Sequence, residues 1–170
     1  MVKMIGAGLV MAGTGGLGWL AVKRLSERAE ILLALQGAMA YLEEEVSFRL
    51  TPLPILFAYL SENRPGTVGA FFRLVLDGLG RAEDGSLRPA WSRAVREGFP
   101  TLRFEERQVL EELGEVLGHY DAKTQANALK LTGERLAKLY IRAQEERARL
   151  GKVYLALGVA AGLVTVLVLI

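Results

Sequence analysis

The last third of the chain constrains the fold most, because a long helical pattern there runs without interruption into an uncharged end. Residues 122–154 place apolar or small side chains at alternating steps of three and four, as one face of a helix requires. The final run, 153–170, contains no charged residue and is long enough for a membrane-spanning helix. At 1.5 Å per residue the whole helix would measure roughly 70 Å, more than the thickness of a bilayer with its headgroups. We therefore predict one helix that joins a water-exposed domain to a membrane anchor.

A second apolar run lies near the other end, at 4–22, after a short tail of residues 1–3. It also predicts a membrane span. Both runs carry small residues at intervals of four, which let transmembrane helices approach closely, either each other or other subunits, including another copy of the chain. These residues are Gly8, Ala12, Gly16, Gly158 and Gly162. Two alternatives stay open: glycine is common in membrane helices in any case, and the first run could be a cleaved signal peptide, although its apolar core is long and no A-x-A site precedes Lys23.

Composition fits a small water-exposed domain combined with membrane segments. The chain is 51% hydrophobic with a mean hydropathy of +0.25, yet 24% of its residues are charged. The net charge is only +2 and basic residues are interleaved with acidic ones, which argues against a nucleic-acid partner. The absence of cysteine excludes disulfides, cysteine-ligated zinc and a cysteine nucleophile.

Charges beside the two runs predict the orientation. Four basic residues, Arg142, Arg147, Arg149 and Lys152, precede the second run, and Lys23, Arg24 and Arg28 follow the first. Only Lys3 lies on the outer side. The positive-inside rule then places residues 23–152 in the cytoplasm and both termini across the membrane.

Residues 23–152 show helical periodicity throughout and no convincing strand alternation, so we predict an all-α antiparallel helical bundle flanked by transmembrane helices. The first helix ends near Arg49, with 43–45, three consecutive glutamates, on its wet faces. Thr51 is predicted to be the N-cap of the next helix, Pro52 its first residue, and Leu50 to pack on Ile55. That helix is expected to end near Asn63.

Three more helices are expected before the long terminal one. They begin near Thr67 or Gly69, at Ser86, and after Pro100, and the last has an apolar face that includes Phe104 and continues to Gly118. Gly118 is predicted to adopt a left-handed conformation. Asp121 is predicted to accept a hydrogen bond from the N–H of Thr124 and so to begin the terminal helix.

No constellation for catalysis, cofactor binding or metal binding emerges from the sequence. His119 is the single histidine, and no GK[ST] follows the glycines of the first run, so neither a histidine metal site nor nucleotide hydrolysis is expected. Glu43, Glu44 and Glu45 are consecutive, and consecutive side chains point around a helix, so a solvated face is favoured over a cation site. Asp121 and Gln125 are interpreted as a cap and its neighbour, with a direct partner contact as the alternative.

Three segments stand out by their order. They are Leu42-Glu43-x-Glu45-Val46 with Thr51-Pro52-Leu53, the region around Trp91, and Leu117-Gly118-x-x-Asp121-x-x-x-Gln125 before the long helix. In this order, and with an apolar run at each end, the chain resembles the stage III sporulation protein AB family of endospore-forming bacteria. Phe48 and Arg49 stand where family members often carry tyrosine and glycine. The resemblance makes nine residues candidates for structural or partner-binding roles: Glu43, Glu45, Thr51, Pro52, Leu53, Leu117, Gly118, Asp121 and Gln125.

The resemblance implies a non-enzymatic platform protein of the mother-cell membrane, in the complex that joins mother cell and forespore. Its helical domain would be similar to that of type II secretion and type IV pilus platform proteins. A cytoplasmic ATPase encoded alongside it would dock on the domain, and other membrane proteins of the channel complex would be its neighbours. Two alternatives remain: a general secretion platform, and a membrane-anchored regulator that uses acidic residues with a metal.

Overall fold

The computed structural model describes the backbone of residues 2–81 and 85–169. Within those ranges, the side chains at 2–15, 17, 18, 155, 158, 159, 162, 163 and 165–169 lie outside the description. The helices are α1 (Val2–Glu44), which continues into a π-helical turn (Glu45–Arg49), α2 (Leu53–Asn63), α3 (Thr67–Arg81), α4 (Leu87–Gly98), α5 (Phe104–Gly114) and α6 (Ala122–Leu169). The described backbone contains no strand, so the all-α prediction is confirmed.

The chain divides into two compact units, 1–29 with 141–170 and 30–140. In the first unit α1 and α6 run antiparallel. The guanidinium of Arg28, which is 7% exposed, lies 2.7 Å from the Glu146 carboxylate, and a methyl group added at Gly151 would lie 3.9 Å from Val22. Among the described residues, no helix combines the length and apolarity needed to cross a membrane. The spans predicted at 4–22 and 153–170 fall largely on side chains outside the description.

The second unit is built around an aromatic cluster contributed by α2, α3 and α4 and by the connection after α4. Its rings are Phe57, Phe71, Phe72, Trp91 and Phe99, all fully buried, with centroid separations of 4.9–6.4 Å. The indole N–H of Trp91 donates to the carbonyl of Leu110 at 2.7 Å, so the largest core side chain also satisfies its polar atom. This bond ties α4 to α5.

The helical periodicity predicted for the segment that ends near Arg49 is matched by buried apolar side chains at Leu32, Leu35, Met39 and Leu42 of α1 and at Val46 of the π-helical turn. The α6 stripe is buried at Ala126, Leu129, Leu136 and Ala143. Two expectations for α5 were wrong. Phe104 is 75% exposed, and the helix ends at Gly114 rather than at Gly118. From Glu115 onward the chain forms turns, in which the N–H of Val116 bonds to Leu113 and that of His119 to Val116, at 3.0 and 3.4 Å.

Candidate partner-binding site

Two reversals of the chain in the 30–140 unit meet in one groove. The first connects the π-helical turn to α2, and the second connects α5 to α6. Between them lies a groove of about 330 Å³. Its walls are mostly apolar and are formed by Val46, Leu50, Thr51, Pro52, Leu53, Pro54, Gly118, Ala122 and Gln125. The first and third of the three sequence segments described above, at 42–53 and 117–125, therefore both contribute residues to this groove.

The first reversal is organised by Glu45. One carboxylate oxygen accepts from Arg49 at 2.9 Å, and the other accepts from the hydroxyl of Thr51 at 3.1 Å. The backbone carbonyl of Glu45 accepts the N–H of Leu50. Leu50 has a φ of +51°, the left-handed conformation, which costs a non-glycine residue about 1–2 kcal/mol. The side chain of Leu50 is nonetheless 69% exposed.

The first reversal bears on three predictions. Thr51 is not the N-cap of α2, because its hydroxyl is engaged by Glu45; Pro52 occupies that position with no side-chain cap. Glu45 was expected on a wet face, but it is only 8% exposed because the chain turns back over it. Leu50 and Ile55 were expected to pack on each other, but both side chains are largely exposed, at 69% and 59%.

Tyr41 lies on the same side of α1 as Glu45, one turn earlier, and stacks on Tyr59 of α2 with ring centroids 5.1 Å apart. Burial raises the pKa of the Tyr41 hydroxyl, and the nearby carboxylate of Glu45 raises it further. The stack of Tyr41 on Tyr59 therefore ties α2 to the C-terminal part of α1.

At the second reversal the predicted left-handed glycine and the predicted cap are both confirmed, although α5 ends four residues earlier than expected. Gly118 has a φ of +81°, and the N–H of Thr124 donates to Asp121 Oδ1 at 3.0 Å. This hydrogen bond has the larger effect in lowering the pKa of the Asp121 carboxyl, and a second one, from the Thr124 hydroxyl to Asp121 Oδ2, lowers it further. Both hydrogen bonds favour the ionised carboxylate. The α6 helix thus begins at a charged cap.

Gln125 braces the second reversal from the groove side. Its side-chain oxygen accepts the N–H of Gly118 at 3.2 Å, and its amide nitrogen donates to the carbonyl of Tyr120. The turn is consequently held at both ends by one side chain, which gives the groove a wall of fixed shape.

One protein family matches nearly the whole chain. The profile of the stage III sporulation protein AB family covers residues 3–170. The chain belongs to the stage III sporulation protein AB family. It is 29% identical to the stage III sporulation protein AB of Bacillus subtilis (strain 168) over 171 residues, which covers 99% of both chains. No solved structure matches the chain. The resemblance stated from the sequence is confirmed, and membership assigns the chain to sporulation.

The candidate residues of this family member fall into four groups by position. Thr51, Pro52, Leu53, Gly118 and Gln125 line the groove. Glu45 and Asp121 make side-chain hydrogen bonds within the two reversals but do not line the groove. Leu117 is fully buried in the core. Glu43 lies on α1, outside the groove lining. Whether any of them contacts a partner stays a prediction.

The small-residue packing prediction falls mostly outside the described side chains, at Gly8, Ala12, Gly158 and Gly162. At Gly16, an added Cβ would lie within 4 Å of none of the described atoms. Across the described residues, no three histidine or carboxylate side chains converge as a metal site would require. His119 is exposed, with Nδ1 3.5 Å from the Leu117 carbonyl.

Four groove residues lie outside the set of candidates chosen from the sequence: Val46, Leu50, Pro54 and Ala122. Ala122 was assigned to the apolar face of the terminal helix, and Val46 was noted as part of the first sequence segment. No local signal marks Leu50, because leucine rarely adopts a left-handed conformation and its exposure depends on the fold of the reversal.

Proposed function

We propose that the chain is a non-enzymatic membrane platform of the channel complex between mother cell and forespore, and that its 30–140 unit docks a cytoplasmic ATPase in the groove. The observation that carries the proposal is that residues from 46–54 and 118–125, 64 or more residues apart in sequence, line one apolar groove. None of the described residues that line the groove is charged, so a charged ligand would lose its hydration there without compensation, whereas an apolar side chain of a partner protein would not.

The groove is suited to binding because its walls are already rigid. Pro52 and Pro54 restrict the backbone on one side, and Gln125 braces the other. A preorganised surface loses less conformational entropy when a partner binds. Leu50 supports the same view, since an exposed apolar side chain is retained in a strained conformation, and such strain is concentrated at functional positions.

The membrane part of the proposal rests on the two apolar runs, 4–22 and 153–170, and on the basic residues beside them. In this arrangement residues 23–152 face the cytoplasm, where the ATPase can reach the groove. Other membrane subunits of the complex would pack against the two spans.

The docking site is tested by asking whether a variant of the chain still co-purifies with the ATPase. The full chain carrying Leu50→Glu, isolated from membranes of sporulating cells, should no longer retain the ATPase, because a carboxylate would be desolvated in an apolar contact. Phe104→Glu is the matched control, since Phe104 is 75% exposed on α5, outside the groove. Retention by the Leu50 variant, or equal loss by the control, would overturn the groove assignment.

Orientation is tested with single cysteines in this cysteine-free chain. Cysteines at Glu62 and Lys130 should resist a membrane-impermeant thiol reagent until the cells are opened, whereas one at the C-terminus should be labelled in intact cells. Labelling of positions 62 and 130 in intact cells would place the groove on the wrong side of the membrane for a cytoplasmic ATPase.

A further inference from the structure

The two compact units of the chain carry opposite charge. Residues 1–29 and 141–170 contain eight lysines or arginines and three glutamates, whereas residues 30–140 contain thirteen basic and sixteen acidic residues. The first unit is therefore at +5 and the second at −3. This segregation is not visible along the sequence, because the positive unit combines the two ends of the chain.

Within the positive unit, two contacts set the register between α1 and α6. Val22 lies against Gly151, and Arg28 is ion-paired with Glu146. In antiparallel helices this register brings Trp19 to the level of Tyr154. It brings Lys23 and Arg24 to the level of Arg149 and Lys152.

The result is two tiers about 6 Å apart, one of aromatic and one of cationic side chains. Trp19 is 59% exposed and Tyr154 is 38% exposed. Arg24, Arg149 and Lys152 are exposed as well. Lys23 joins the tiers, because its ammonium lies 5.6 Å from the centre of the Trp19 ring and 4.0 Å from Glu27. Arg28 is excluded from this surface, since it is buried and paired.

We propose that the cationic tier binds the headgroups of anionic phospholipids. Tryptophan and tyrosine favour the boundary between acyl chains and headgroups, and cations one turn further along lie at the level of lipid phosphates. The guanidinium groups of Arg24 and Arg149 suit a phosphate diester through paired N–H donors. This inference rests on the membrane insertion in the proposed function, but not on the ATPase.

Selective quenching of tryptophan fluorescence tests the proposal on the full chain. The chain is reconstituted in two vesicle preparations of the same mixture of phosphatidylglycerol and phosphatidylcholine, which differ only in which lipid carries bromine. Bromine quenches the fluorescence of Trp19 in proportion to the number of brominated lipids near it. Trp91, which is fully buried in the other unit, gives a constant background. Each surface cation is worth about a fivefold preference for anionic lipid, so phosphatidylglycerol should be enriched several-fold around Trp19. Raising the salt to about 0.5 M should weaken the enrichment.

A variant with Arg24→Gln, Arg149→Gln and Lys152→Gln should lose most of the enrichment. The control carries Arg93→Gln, Lys130→Gln and Lys138→Gln, three exposed cations of the 30–140 unit, and changes the net charge equally. It should keep the enrichment; equal loss in the control would overturn a local site in favour of overall charge. Equal quenching by both brominated lipids would overturn this inference alone. Absence of quenching by either would overturn both this inference and the proposed membrane insertion.

Discussion

The two reversals that form the groove solve the same problem in different ways. Each ends one helix, turns through a residue with positive φ, and begins another. The second uses Gly118 for the turn and the exposed Asp121 as the cap. The first uses Leu50 for the turn and places the partly buried carboxylate of Glu45 behind it. The second reversal is stabilised by contacts between residues close in sequence. The first keeps Leu50 in a strained conformation with its apolar side chain exposed.

This difference predicts unequal responses to the same kind of change. A residue that contributes only to turn geometry can be replaced at the expense of stability alone. A residue kept in strain for a purpose should instead gain stability when relieved and lose binding. Variants at the two reversals should therefore behave differently when the free energy of unfolding and partner binding are both measured. Changes at the second reversal should lower stability alone, whereas relief of strain at the first should raise stability and weaken binding.

The largest effect is expected for Gly118→Ala. Because alanine is strained at a φ of +81°, the change should lower the free energy of unfolding by about 1–2 kcal/mol. The free energy of unfolding is measured by urea denaturation of the full chain in mild detergent, with circular dichroism as the signal of unfolding. Gly80→Ala is the control, since a Cβ there would meet open space within α3. An unchanged Gly118 variant would show that the left-handed turn is not required.

A smaller effect is expected from a double-mutant cycle of Glu45→Met, which removes the acceptor at similar side-chain length, and Thr51→Val. If Thr51 Oγ1 donates to Glu45, the two changes share one interaction and should be non-additive by about 0.5–1 kcal/mol. The same denaturation experiment measures the coupling. Strict additivity would instead mean that Thr51 acts independently, as the N-cap predicted from the sequence would.

Leu50→Gly should raise the free energy of unfolding by about 0.5 kcal/mol, because relief of the left-handed strain exceeds the entropic penalty of glycine. Little burial is lost, since Leu50 is 69% exposed. The same variant should retain less ATPase in capture from membranes. A more stable variant that binds normally would show that Leu50 is not kept for binding.

The smallest effect concerns the pH dependence of the cap at Asp121. Its folded-state pKa is lowered, so its stabilising contribution is complete above the unfolded pKa, about 4, and is lost as the pH falls through the folded value. An asparagine at this position would also cap the helix but would not titrate. The difference in melting temperature between wild type and Asp121→Asn should therefore shrink as the pH is lowered from 7 toward 3. A constant difference would contradict the hydrogen-bonded cap.

The contrast between the two reversals also explains which features the sequence could predict. Gly118 and Asp121 act on neighbours within four residues, so their roles follow from local rules, as do the end of α2 at Asn63 and the buried stripe of α1. Thr51 follows the same local rule but is engaged by Glu45, six residues earlier, once the chain has turned. The exposure of Phe104 and the pairing of Arg28 with Glu146 likewise depend on which helices meet, and periodicity alone does not specify that.

Photo-crosslinking in sporulating cells tests most directly whether the meeting point of the two reversals is a docking site. A photoreactive amino acid would replace Leu50 on one wall of the groove, Ala122 on the other, or Phe104 outside it. The account predicts that positions 50 and 122 both attach to the same ATPase and that position 104 does not. Crosslinks to the ATPase from position 104 but from neither wall would contradict it.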